Sequence, residues 1–160
     1  RDQGRRCRCG RAGCLETEAS LPAIAREAGV DPLLGPDHLR KVLAKRLSVG
    51  DNAAVDAVKA SARATGAALA GIVSALNPSH VVIAGNVLDF EPHYSEELRA
   101  TLRNCMLPTV SSHLEVVPSR LEPDAALMGA AVLGLQSLFG LDDPDPASRF
   151  VSTFAESFAG

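Results

Sequence analysis

Asn77-Pro78-Ser79-His80-Val81-Val82-Ile83-Ala84-Gly85-Asn86 is the stretch that decides the class of this fold. Asn77-Pro78 stops a helix, because proline lacks the amide proton and crowds the residue before it. Val81-Val82-Ile83-Ala84 follows at once as a short apolar run, which reads as a fully buried strand, and Gly85-Asn86 breaks it. Upstream, Asp51 opens the longest periodic segment, which runs to Leu76 with Val55, Val58, Ala62, Leu69, Ile72, Val73 and Leu76 on one face. Small residues crowd that segment (Ala60, Ala64, Gly66, Ala67, Ala68, Ala70, Gly71). They let a helix lie close against a sheet or a ligand, although close packing alone accounts for them. Downstream, Ser95 starts a helix through about Met106, and Leu114 to Val117 reads as a second strand. Pro123 then opens a helix carrying Leu127, Met128, Ala131, Val132, Leu135 and Leu138. Helix, strand, helix, strand, helix is an α/β pattern.

Two further helices are predicted before Asp51. Ser20 to Gly29 places Leu21, Ile24 and Ala25 on one face, and Pro22 is tolerated in the first turn. Asp37 caps a helix through about Leu47, with Leu39, Val42, Leu43 and Leu47 at helical spacing, and Gly50 closes it. At the other end, Asp142 to Pro146 is a polar, proline-rich break, and the last 14 residues read as a tail or a short docked helix. The chain thus divides into 1–50, 51–140 and 141–160. Two strands are too few for a freestanding α/β sheet, which usually has about four to six. Either further strands are not visible in the pattern or, as expected, the chain is the C-terminal part of a larger protein.

The residues that carry chemistry lie near the start, in Cys7-Arg8-Cys9-Gly10-Arg11-Ala12-Gly13-Cys14-Leu15-Glu16. Three thiolates this close repel one another unless a cation or a disulfide sits among them. Gly10 and Gly13 let the backbone turn tightly enough to aim all three sulfurs at one point. Zinc suits such soft donors, and because its tetrahedron needs four ligands, the run supplies three and lacks one. Two other readings stand beside zinc: a disulfide pair with one free thiol, as in a secreted protein, or three reduced surface cysteines. Cys105, in an amphipathic stretch with Leu98, Leu102 and Met106, reads as a core thiol rather than the fourth ligand.

A length of 160 residues allows one domain with a sizeable core. With 46% apolar and 22% charged residues, the composition is that of an ordinary soluble globular protein. A net charge of −3 gives no support for a dominant nucleic-acid surface. Yet five of the first eleven residues are arginine (Arg1, Arg5, Arg6, Arg8, Arg11). They read as a DNA-contacting arm or, preferably, as cations that offset a thiolate-rich loop. No apolar run approaches the roughly 18 residues of a membrane span. Reduced cysteines and the lack of a visible export signal point to the cytoplasm.

Taken together, Cys7-x-Cys9-Gly10-x-x-Gly13-Cys14-x-Glu16, Asn77-Pro78-x-x-Val81-Val82-Ile83-Ala84-Gly85 and Met128-Gly129-Ala130-Ala131 resemble the ROK family of sugar-responsive repressors and sugar kinases. The order and spacing match over about residues 5–139. The resemblance implies an actin-like, ribonuclease-H-like two-lobed α/β fold. This chain would be its C-terminal lobe, with a zinc loop and helical insertion over 1–50. It implies that Cys7, Cys9 and Cys14 are structural zinc ligands, completed by a histidine that would precede Arg1. His38, His80, His93 and His113 do not match that position. It also implies that Glu16 accepts hydrogen bonds from sugar hydroxyls, a role that suits a carboxylate beside a rigid loop. Without the family, Glu16 reads equally well as a solvated carboxylate at a helix N-terminus.

Kinases of the family use ATP and magnesium with a phosphate loop and a catalytic aspartate, and all of these would lie upstream of Arg1. They also carry a Gly-Gly-rich turn after the Asn-Pro strand. Here that turn is Ala84-Gly85-Asn86, so Gly85 is all that remains of the expected nucleotide contact. The segment Leu15-Glu16-Thr17-Glu18-Ala19-Ser20-Leu21 looks like those of the repressors. The expectation is a zinc-braced, sugar-sensing region of a ROK-type regulator, without catalytic residues of its own. Its ligand would be a sugar or sugar phosphate, DNA would be bound by a domain outside this chain, and the protein would be a homo-oligomer. The alternative is the C-terminal part of an ATP-dependent sugar kinase of the glucokinase or fructokinase kind. A third reading is a zinc-dependent nucleic-acid module acting through the arginine-rich loop.

Overall fold

The structure, a computed structural model, describes residues 4–121 and 125–138. Residues 1–120 form one compact unit and residues 121–160 a second. The first unit contains helices α1 (Glu16–Ala19), α2 (Leu21–Glu27), α3 (Pro36–Ser48) and α4 (Asn52–Leu76), then strand β1 (His80–Ile83). A 3-10 helix (Asn86–Phe90), α5 (His93–Cys105), α6 (Pro108–Ser111) and strand β2 (Glu115–Pro118) complete it. The second unit contains α7 (Ala125–Leu138). Pro123, the break at Asp142–Pro146 and the C-terminal tail lie outside the described residues.

Caps explain where the helices begin. Ser20 Oγ accepts from the Ala23 amide at 3.4 Å and opens α2, as its sequence predicts. Asp51 Oδ1 accepts from the Ala54 amide at 3.2 Å and opens α4. The Arg46 side chain then joins three elements. Its Nε donates to Asp51 Oδ2 at 2.7 Å and its Nη1 to the Ala28 carbonyl at 2.6 Å, tying the end of α2 to the α3–α4 corner. Asp37 is not a cap. Gly35 occupies that position without a side-chain bond, and Pro36 takes the first helical position, where its fixed φ suits the turn. Likewise α5 starts at His93 rather than Ser95. Ser95 lies buried inside the helix, donating to the Glu91 carboxylate.

One core is drawn from both sides of Asp51. Ile24, Leu39, Leu43, Val58, Phe90, Leu98 and Leu102 are all nearly inaccessible and belong to one cluster. The small residues of α4 matter most at Gly66, where an added Cβ would lie 2.8 Å from Thr101 Cγ2 and 2.9 Å from Thr101 Cβ. Side-chain volume there would push α4 and α5 apart. Not all of the expected apolar face of α4 is covered. Ile72 is 56% exposed and Leu76 74% exposed, because burial in the last turns is confined to Ala70 and Val73. Asn77 ends α4 in the left-handed region at φ 45°, which asparagine tolerates better than most residues.

β1 and β2 pair in parallel, with His80 opposite Glu115 and Ile83 opposite Pro118, and α5 lies in the connection between them. Arg99 on α5 donates through Nη2 to the Val116 carbonyl at 2.8 Å, fastening the crossover helix to β2. The expected full burial of Val81-Val82-Ile83-Ala84 does not occur. Ile83 is buried, Val81 half-buried, Val82 47% exposed and Ala84 exposed. A strand is fully buried only with layers on both faces, and among the described residues β1 has β2 as its one neighbour. Cys105 is also not a core thiol. It is exposed at the last position of α5, on the flank of the buried Leu98–Leu102–Met106 stripe that Thr101 also occupies.

Candidate metal and ligand site

The sulfur loop is a small hairpin built almost entirely by main chain. Arg6 and Ala12 form an isolated antiparallel bridge. Inside it, the Cys7 amide donates to the Arg11 carbonyl at 2.7 Å, and the Gly10 amide to the Cys7 carbonyl at 3.0 Å. The Gly13 amide closes the base on the Arg5 carbonyl at 3.0 Å. Gly10 at φ 88° and Gly13 at φ 68° hold conformations that side chains disfavour. These two turns bring the Cys7, Cys9 and Cys14 sulfurs within 4.8 Å of one another. Among the described residues no histidine, aspartate or glutamate joins that group.

Without a cation, the thiols polarise one another. The Arg11 backbone amide, then the Cys14 and Cys7 thiols, donate to Cys9 and hold it below its usual value. Cys14 is pushed up to about 11, chiefly because its hydrogen stabilises the Cys9 sulfur 3.5 Å away and secondarily by desolvation. One thiolate is tolerated and a neighbouring second one is opposed. A divalent cation at the centre would relieve that opposition. Zinc–sulfur bonds of about 2.3 Å in a tetrahedron put sulfurs about 3.8 Å apart, a spacing this loop can reach with small adjustments.

Glu16 begins α1, two residues past Cys14. The Thr17 amide and Oγ1 both donate to the Cys14 carbonyl, at 2.9 and 2.7 Å, so the helix grows directly out of the sulfur loop. Its far side is tethered. Arg26 Nη2 on α2 donates to the Thr17 carbonyl at 2.9 Å, and Ser61 Oγ on α4 to the Ala19 carbonyl at 3.4 Å. The Glu16 carboxylate itself points to solvent, with 56% of its side chain exposed, and sits 3.5 Å from the Arg8 guanidinium. The sequence marks Arg8 only as one of the cations around the thiolate loop, not as the partner of Glu16, and it gives Thr17 and Arg26 no role. Thr17, three residues beyond Cys14, carried the only local signal, since a threonine there can bond back into the preceding turn.

Among the described N-terminal arginines, two side chains face carboxylates. Arg5 pairs with Glu27 at 2.8 Å, Arg8 faces Glu16, and the Arg11 carbonyl is part of the hairpin. Gly85 lies in another part of the fold, just beyond the C-terminal end of β1. It is exposed, has φ 87° and ψ −163°, and has no atom within 4 Å of where a Cβ would project. A backbone this open admits close approach by a ligand, although Ala84 and Asn86 flank it. The structure thus gathers Cys7, Cys9 and Cys14 with Glu16 beside them, and leaves Gly85 apart. Among the described residues no helix is long and apolar enough to cross a membrane.

Kanosamine kinase of Amycolatopsis mediterranei (strain S699) is 35% identical over 134 residues, spanning 81% of this chain and 42% of that enzyme. The DNA-binding transcriptional dual regulator NagC of Escherichia coli (strain K12) is 27% identical over 145 residues, spanning 86% of this chain and 36% of the regulator. The chain therefore matches less than half the length of these relatives. In three dimensions it is similar to a ROK family glucokinase from Streptomyces griseus, solved with glucose and AMPPNP. The TM-score is 0.67 at 27% identity, over 81% of this chain and 47% of that one. The family model described as "ROK family" matches residues 1–137. With sulfur loop, long helix and parallel strand pair in that order, this chain belongs to the ROK family.

Proposed function

We propose that this chain is the sugar-sensing C-terminal region of a ROK transcriptional regulator in the cytoplasm, with the sulfur loop as a zinc-braced platform for Glu16. The observation that carries the reading is the direct graft of α1 onto the loop: three sulfurs within 4.8 Å, and Glu16 two residues past the last of them. Cys7, Cys9 and Cys14 would hold the zinc, with a fourth ligand from outside this chain, and the metal would cross-link the hairpin. Glu16 Oε1 and Oε2 accept from a pair of sugar hydroxyls, and Arg8, 3.5 Å away, is a donor for the same ligand or for its phosphate. Thr17 and Arg26 keep the carboxylate in place by fixing the first turn of α1. The Ala84-Gly85-Asn86 turn and the Leu15–Leu21 segment favour the regulator branch. Sugar binding would shift the equilibrium between two arrangements of the whole protein, one of which binds DNA more tightly.

One observation favours a second reading, the C-terminal part of an ATP-dependent sugar kinase. Gly85 keeps a positive φ and an open face beyond the end of a parallel strand, where ligands commonly bind in α/β sheets. The test uses the full-length protein. Sugars and sugar phosphates are titrated by calorimetry, DNA affinity is measured with and without the sugar that binds, and ADP release is followed in a coupled assay. A sugar-dependent change in DNA affinity without ADP turnover is expected. Sugar-dependent ADP release without DNA binding would replace the regulator by the kinase, and no binding of any sugar or sugar phosphate would remove both.

A further inference from the structure

The three sulfurs have a chemistry available to them other than holding a cation. Cys9 is exposed, whereas Cys7 and Cys14 are half-buried. Its Sγ stands 3.5 Å from that of Cys14. A disulfide bond is about 2.05 Å long, so an approach of about 1.5 Å closes the pair. Gly10 and Gly13, both in the intervening segment and both at positive φ, give the backbone there the freedom such an approach needs. Arg8 and Arg11 flank Cys9 and are exposed, Arg8 with 88% of its side chain in solvent. An anionic reagent is therefore drawn toward Cys9, the most exposed cysteine of the three.

We propose that Cys9 is a thiol-modification site, the nucleophile toward an anionic low-molecular-weight disulfide such as glutathione disulfide, with Cys14 as its resolving thiol. The Cys9 thiolate attacks one sulfur of the reagent, forming a mixed disulfide and expelling one glutathione thiolate. Cys14 then gives up its proton, attacks the Cys9 sulfur and expels the second glutathione thiolate. The chain loses two electrons and two protons, and the reagent is reduced to two thiols. Oxidation of Cys9 and Cys14 would withdraw two of the three donors this chain offers a cation, which would then be released as the free ion. Cys105 is exposed as well, but no other cysteine is grouped with it. The Cys14 carbonyl receives both bonds from Thr17, so closure of the disulfide pulls on the turn that presents Glu16. Loss of sugar affinity on oxidation follows from that coupling, and this last clause alone rests on the sugar-sensing reading.

The experiment uses the full-length protein carrying Cys105→Ser, loaded with zinc and treated with millimolar glutathione disulfide. Zinc release is read with a chromophoric chelator, and the thiols by intact mass and peptide mapping. Zinc is expected to leave in step with a mass loss of two hydrogens and the appearance of a Cys9–Cys14 cross-linked peptide. Dithiothreitol with added zinc reverses both. At partial conversion, glutathione appears on Cys9 before any other cysteine, a readout that needs no further variant. Glutathione is retained on Cys9 longer in Cys14→Ala than in Cys7→Ala, since Cys7 is the one other thiol within reach, and Cys9→Ala slows zinc release by roughly tenfold or more. First modification at Cys7 or Cys14, or retention of zinc with all three thiols intact, would overturn the assignment. If the disulfide forms as described but sugar affinity stays unchanged, the modification site stands and the link to Glu16 is lost.

Discussion

Phe90, Leu39 and Leu43 in the helical body are at most 1% exposed, whereas Arg8 at the tip of the sulfur loop has 88% of its side chain in solvent. The body is held by apolar burial spread over several helices. The loop has almost no core and takes its shape from main-chain bonds, two glycines and the sulfurs themselves. The two regions should therefore fail differently. A lesion in the body should lower global stability, whereas a lesion in the loop should leave the unfolding transition nearly in place and, under the sensing reading, change binding instead.

The largest effect is expected from Phe90→Ala. Truncating a fully buried aromatic costs about 3–5 kcal/mol, read as a lower denaturant midpoint with an unchanged slope. A loss below about 1 kcal/mol would mean that the 3-10 helix contributes little to the core, and the contrast between the two regions would weaken. Next comes Glu16→Gln in the full-length protein. Losing a carboxylate acceptor for sugar hydroxyls costs about 1.5–3 kcal/mol of binding, or roughly a 10- to 150-fold weaker Kd by calorimetry, with no shift of the unfolding midpoint. Unchanged affinity would return Glu16 to the status of a surface carboxylate.

Gly66→Val sharpens the comparison from the side of the body. The added side chain meets Thr101 and Leu98, and overpacking of this kind costs about 1–3 kcal/mol. Thr101→Ala should recover part of the loss, because Thr101 supplies the two nearest atoms. The smallest effect concerns Asp51, whose carboxyl the Arg46 guanidinium holds below the ordinary range, with help from the Ala54 amide. A depressed folded value means stability that is present above the unfolded value of about 3.9 and is lost as pH falls through the folded one. The wild type should accordingly lose part of its stability below about pH 4, and Asp51→Asn should show a shallower acid limb. Identical acid limbs would mean that the Arg46–Asp51 pair is as exposed in its energetics as the loop.

The fold was legible where periodicity and punctuation agreed. Ser20 and Asp51 cap the helices assigned to them, both strands fall within one residue of their expected ends, and Asn77-Pro78 closes α4. The misses share a cause. Val82, Ile72, Leu76 and Cys105 were assigned to the interior from local pattern, yet burial is decided by what lies across from a residue. Alternation along β1 was hidden because both faces of the strand carry valine or isoleucine. The short α1, the 3-10 helix and α6 are too brief to leave a periodic trace. Of the candidate site, the convergence of three sulfurs could be read from spacing and glycine. The pairing of Arg8 with Glu16 could not, since it depends on the way the hairpin folds back toward α1.

Although α1 is a single turn, hydrogen bonds join it to the sulfur loop on one side and to α2 and α4 on the other. One end holds the exposed Glu16, and the carbonyl at the other end is tied by Ser61 to the middle of a 25-residue helix. That helix is a rod about 37 Å long, and it ends at Asn77, three residues before β1. Any displacement of α1 by a ligand at Glu16 would therefore bear first on a long helix rather than on a loop. Under the sensing reading such a linkage would have a solvent-facing handle at Glu16, a tether at Arg26 and a shaft running toward the sheet.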